Sequence, residues 1–174
     1  MSVRQFLIVL AISVLVVSCS SSSSRELPGA ICGTPINPAV TRPLLTSTDD
    51  LNEFTRVDRH EAITAPCVLL SGRDPVLDFR FSWDDTERDL MYLAMDTGSI
   101  SGIREPQEID FTYKTIVGTD GAISIAPCET NGGKYFTLTL QVPQIKLMDQ
   151  THRKDIEKFM RAYFPATLKT LGCK

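Results

Sequence analysis

The sequence predicts an α+β domain: a mostly antiparallel sheet of five or six strands, with a C-terminal helix and a short N-terminal helix packed on one face. Three observations carry this. Residues 76–83 alternate strictly, with Leu77, Phe79, Phe81 and Trp83 on one side and Asp78, Arg80 and Ser82 on the other. Residues 109–142 hold further strand-like segments, cut by Asp120-Gly121 and Asn131-Gly132-Gly133, which together read as a meander. Ile156, Phe159, Met160, Tyr163, Phe164, Leu168 and Leu171 then fall on one helical stripe, and such a stripe needs a sheet face to cover.

Taken in order, residues 35–45 are loop or one helical turn, because Pro38 and Pro43 limit anything longer. Ser47-Thr48-Asp49-Asp50 resembles a capping box ahead of Leu51 and Phe54, which predicts a short helix at about 48–56. Residues 67–70 are apolar and Ser71-Gly72-Arg73-Asp74 reads as a turn, so they pair with 76–83 in a hairpin. Pro75 fits only at the start of that strand. Residues 86–95 suit a helix through Leu90, Leu93 and Ala94, or a strand through Leu90, Tyr92 and Ala94; the strand is the reading adopted. Residues 98–108 are loop. Strands follow at 109–117, 122–126 and 135–142, the last with Phe136, Leu138, Leu140 and Val142 inside. Asp149 or Thr151 is placed to cap the final helix, Pro165 to kink or break it, and Gly172 to end it.

The first 18 residues are an export signal rather than part of the fold. Arg4 supplies a short basic region, and 6–17 is apolar apart from Ser13. That run has the length of a signal-peptide core and is short for a membrane span. Val16-Val17-Ser18-Cys19 resembles a bacterial lipobox. The resemblance implies a diacylglyceryl group on the Cys19 thiol and cleavage before Cys19. Five serines at 20–24 suit a flexible tether. The expected organisation is a signal peptide at 1–18, a lipidated Cys and tether at 19–29, and one domain at 30–174, held at the outer face of the bacterial cytoplasmic membrane. Losing Arg4 takes the net charge from −3 to −4, a poor match for nucleic acid and for anionic lipid head groups, so attachment is expected through acyl chains and not through a basic patch.

Beyond Cys19 four cysteines remain, Cys32, Cys67, Cys128 and Cys173. An even number in an exported domain implies two disulfides, with three possible pairings. The favoured pairs are Cys67 with Cys128, which begin and end strand candidates after Ala-Pro, and Cys32 with Cys173, which bracket the domain. Each is worth about 4 kcal/mol by loop closure. No C-x-x-C is present, so no zinc or thioredoxin-like site is expected.

The order Cys32, Cys67, a phenylalanine-rich strand ending at Trp83, Cys128, and a helix reading Arg161-Ala162-Tyr163-Phe164-Pro165 into Leu171-Gly172-Cys173 resembles a group of actinobacterial secreted lipoproteins. The resemblance spans most of the mature domain and rests on structural cysteines and core residues. It implies no activity and transfers no functional residue.

Asp96-Thr97-Gly98-Ser99 matches the aspartic-protease signature, whose chemistry needs two carboxylates sharing a proton. There is no second such motif. Ile116-Val117-Gly118 follows Asp96 too closely to leave room for the flap and strands of a one-motif protease, so a strand-ending turn is the preferred reading. Gly98 to Gly102 has Ile100 where a G-x-S-x-G nucleophile would stand. His60 and His152 are far apart in polar sequence. Asp84, Asp85 and Glu87 lack calcium-loop spacing. No catalytic residue, metal or cofactor is assigned.

The leading functional expectation is therefore a non-catalytic envelope module that binds a protein or envelope component through Trp83, Asp84, Asp85, Glu87, Ser99 and Arg104. The second is a carrier with an apolar pocket under the last helix, drawn from Phe79, Phe81, Phe136, Phe159, Met160 and Phe164. The third is a hydrolase using Asp96.

Overall fold

The computed structural model describes residues 27–55, 58–59, 63–95, 102–145 and 150–173. A two-stranded hairpin, β1 (Ala30–Ile31) and β2 (Thr34–Pro35), leads into a short helix α1 (Pro38–Thr41) and a 3-10 turn, Arg42–Leu44. Asn37 caps α1 by accepting from the Ala39 N–H at 2.9 Å. The main sheet has seven strands, all antiparallel, in the order β3-β4-β5-β9-β8-β7-β6. They are β3 (Leu51–Thr55), β4 (Thr64–Ser71), β5 (Asp74–Asp84), β6 (Gln107–Glu108), β7 (Lys114–Val117), β8 (Gly121–Thr130) and β9 (Gly133–Gln141). Helix α2 (Leu90–Met95) follows β5, and α3 (Arg153–Leu171) closes the chain.

The class is α+β as expected, with seven strands in place of five or six. The long alternations set the core. Phe79, Phe81 and Trp83 stand opposite Leu140, Leu138 and Phe136, and all six are buried. Helix α3 lays Ile156, Phe159, Met160, Tyr163 and Phe164 on that face, each 0% exposed. The rings stack directly: Phe79 on Tyr163 at 5.0 Å, Phe159 on Tyr163 at 4.9 Å and Phe136 on Phe164 at 5.9 Å. The hairpin lies in the same layer. The Tyr163 hydroxyl donates to the Ile31 carbonyl, and Thr34 and Thr167 share a hydroxyl bond at 3.1 Å.

Several local expectations are corrected. Residues 51–55 are the edge strand β3, not a helix: Leu51, Glu53 and Thr55 pair across from Ser71, Leu69 and Cys67. Residues 90–95 are helix, not strand, because Leu90 and Ala94 pack one turn apart on Ile116, Ile123 and Ile125. These three lie on the opposite sheet face from α3, since Ile123 and Ile125 stand across from Thr139 and Thr137 rather than from core residues. The strand expected at 109–117 is regular only from Lys114. Pro165 does not break α3, which runs on to Leu171; it is half-buried, on the side of the helix away from the buried Tyr163 and Thr167. The N-cap is His152, after a 3-10 turn at Gln150–His152, so Thr151 does not cap α3; Asp149 lies outside the described residues. Gly172, at φ 74, ends the helix as expected, with the Cys173 N–H donating to the Leu168 carbonyl.

The disulfides are Cys32–Cys67 and Cys128–Cys173, which corrects both favoured pairings. Sheet order explains it. Cys67 on β4 and Cys128 on β8 have β5 and β9 between them, three strand spacings or about 14 Å, far beyond the reach of a disulfide. The two bridges instead fasten the hairpin to β4 and the end of α3 to β8. No helix among the described residues is long and apolar enough to cross a membrane.

Candidate functional site

A groove of about 630 Å³ lies between the start of α2 and the 109–113 loop. Its first wall begins where β5 ends. Arg88 pairs with Asp84 at 2.9 Å, and Asp89 accepts the Tyr92 N–H at 3.1 Å, starting α2. Its second wall is a loop that the strand pattern had disguised. The Ile109 N–H donates to the Thr115 carbonyl, which folds 110–114 outward. Arg161 of α3 holds that bulge: Nη2 donates to the Asp110 carbonyl at 2.6 Å and the guanidinium lies 5.1 Å over the Phe111 ring. Phe111 meets Tyr113 edge-on at 5.4 Å, and Tyr113 meets Phe164 at 5.1 Å. The loop is thus tied to the core by a chain of rings. Lys114 donates to Glu87 across the groove, and that hydrogen bond holds the ammonium above its ordinary pKa. The lining joins Phe111 and Tyr113 with Glu87, Asp89, Glu108 and Arg88. Such a mixture suits recognition of a polar chain with aromatic content.

The expected surface divides. Glu87 lines the groove and Asp84 anchors its rim through Arg88. Asp85 is exposed nearby. Trp83 is corrected: it is 3% exposed, packed on Phe136 at 5.1 Å, and cannot serve as an open contact. Its Nε1 has no hydrogen-bond partner. Arg104 belongs elsewhere, in a second groove of about 710 Å³ beside Asp78 and Asp120. There its N–H donates to Asp120 at 2.9 Å and its guanidinium stands 3.7 Å from the same carboxylate. Cys19, His60, Asp96 and Ser99 lie outside the described residues.

Sequence reasoning missed Arg59, which lies in a polar run with no periodic signal. Its guanidinium donates to Thr34 Oγ1, the Gly33 carbonyl and Thr170 Oγ1 at 2.8–2.9 Å, and sits 5.7 Å over Phe81. Burial lowers its pKa, and Tyr163, Asp58 and Glu53 oppose that. Arg59 is a joint between hairpin, sheet and α3, at the rim of a groove of about 340 Å³. Among the described residues, Cys32, Cys67 and Glu53 bring donor atoms within 4.8 Å of one another. The two sulfurs are joined to each other, and Glu53 accepts the Cys32 N–H at 2.8 Å, so this set is a structural corner rather than a metal centre.

No protein-family model matches the chain, and no curated protein or solved structure is significantly similar to it.

Proposed function

We propose that this chain is a lipid-anchored, non-catalytic binding module of the bacterial envelope, held at the outer face of the cytoplasmic membrane through Cys19, and that the groove between α2 and the 109–113 loop receives a protein or envelope-component partner. The observation that carries the reading is the groove itself: Phe111 and Tyr113 are fixed in place by Arg161 and Phe164, while charges of both signs line the opening. A rigid aromatic pair with a charged rim is the composition of a contact surface. The order of apolar run, Ser18, Cys19 and serine tether supports the anchor.

A photo-crosslinking residue at Thr112, in cells grown with the lipidated protein, tests it. The expected result is one dominant adduct that weakens with Glu108→Arg. Failure to recover any adduct from native membranes contradicts the reading.

The carrier reading has less support. The rings assigned to its pocket are packed against one another beneath α3, where Phe79, Phe136, Phe159 and Phe164 are each 0% exposed.

A further inference from the structure

The outward side of α3 carries a stripe of cations, flanked by Asp155 and Glu157. Lys154, Lys158, Arg161, Pro165 and Lys169 follow at spacings of four, three, four and four, which sets them on one stripe opposite the buried Phe159, Tyr163 and Thr167. The three lysines are exposed, and among the described residues no carboxylate pairs with them. Arg161 is engaged by Glu157 at 2.7 Å. This stripe belongs to a chain whose net charge is −3.

The tether bears on the same layer. Eight residue steps separate Cys19 from Leu27, a reach of at most about 28 Å. A domain of this length is about 40 Å across, so its first residues stay within one domain diameter of the head groups. Leu27 precedes the hairpin that rests on the C-terminal half of α3 through Tyr163 and Thr167. The chain therefore leaves for the membrane from the helix layer that carries the lysines.

We propose that α3 lies against anionic lipid head groups and that its lysine stripe sets the orientation of the anchored domain. This rests on the lipid-anchor reading above. The acidic total opposes recruitment from solution, but acyl chains already supply attachment, and a local stripe then selects which face turns down. The face carrying α2 is thereby presented away from the membrane.

Amine acylation of the full lipidated protein tests this, in vesicles of phosphatidylglycerol and in vesicles of phosphatidylcholine. Lys154, Lys158 and Lys169 are expected to react several-fold more slowly on phosphatidylglycerol, with the difference erased by high salt. Lys114, on the opposite sheet face and 72% exposed, is expected to react equally on both. Equal rates for the stripe on the two vesicles overturn the proposal. Protection in native membranes alone also overturns it, and assigns the stripe to a protein partner. Failure to float with either vesicle overturns the anchor reading and the orientation with it.

Discussion

The hydroxyl of Tyr163, fully buried in the last helix, donates to the carbonyl oxygen of Ile31 in the first strand at 2.9 Å. This bond joins segments 132 residues apart and sits among Thr34, Thr167 and Arg59. Tyr163→Phe removes this buried hydrogen bond and leaves the Ile31 carbonyl only its strand pairing with Thr34. It is expected to cost about 1–3 kcal/mol in urea unfolding, and an unchanged midpoint would remove this bond from the account.

The same residue sets a limit at high pH. Burial raises the Tyr163 pKa well above its ordinary 10.0, so the folded state keeps the proton that the unfolded chain gives up. Stability from this group is whole below pH 10.0 and falls as pH rises beyond it. The slope approaches about 1.4 kcal/mol per pH unit. Tyr163→Phe is expected to be less stable at neutral pH but to lose stability less steeply above pH 10.0. Parallel curves for the two proteins contradict the assignment.

Each disulfide closes a sizeable loop, with separations of 35 and 45 residues. Chain entropy puts either at about 4 kcal/mol. Peptide mapping under non-reducing conditions is expected to recover Cys32 with Cys67 and Cys128 with Cys173. Replacing either pair with alanine is expected to lower the melting temperature markedly; a peptide joining Cys67 to Cys128 contradicts the sheet order.

What was legible in the sequence was local and periodic. The alternation of Phe79, Phe81 and Trp83, the run from Phe136 to Val142 and the stripe from Ile156 to Leu168 each name a buried face, and all are buried. What was not legible depended on neighbours. The cysteine pairing follows from β9 inserting between β5 and β8, which no spacing records. Leu51 and Phe54 suit a helix until β4 offers an edge to pair with. Phe111 and Tyr113 look like strand residues, but Arg161, some fifty positions later, holds their loop outward. The groove was visible only through Glu87 and, at its rim, Asp84, and Arg59 not at all.

Asp78 is half-buried on the sheet face away from α3, and desolvation raises its pKa above the ordinary 3.8 against a smaller opposing effect of Arg80. The folded state therefore holds this proton more tightly than the unfolded chain does. Its contribution is whole below pH 3.8 and is lost as pH rises through the folded value, leaving the carboxylate a cost at neutral pH. Asp78→Asn is expected to raise the melting temperature at pH 7 and to lose that advantage below pH 3.8. A lower melting temperature at pH 7 shows that the ionised form is instead stabilising.

Gly118 is packed where the 103–104 segment crosses the β7–β8 turn. A Cβ there would stand 2.3 Å from both the Arg104 carbonyl and the Ile103 side chain. Gly118→Ala forces that segment away and is expected to cost about 1–3 kcal/mol. Wild-type stability in this variant contradicts the packing of Arg104 beside Asp120.

The anchor is the claim on which the functional account turns. Intact mass and N-terminal peptide analysis of the protein recovered from bacterial membranes test it most directly. The account predicts a chain that begins at Cys19, carries the added mass of a diacylglyceryl group, and moves to the soluble fraction or stays unprocessed in Cys19→Ala. A mature N-terminus elsewhere, with Cys19 removed or present as a free thiol, contradicts it.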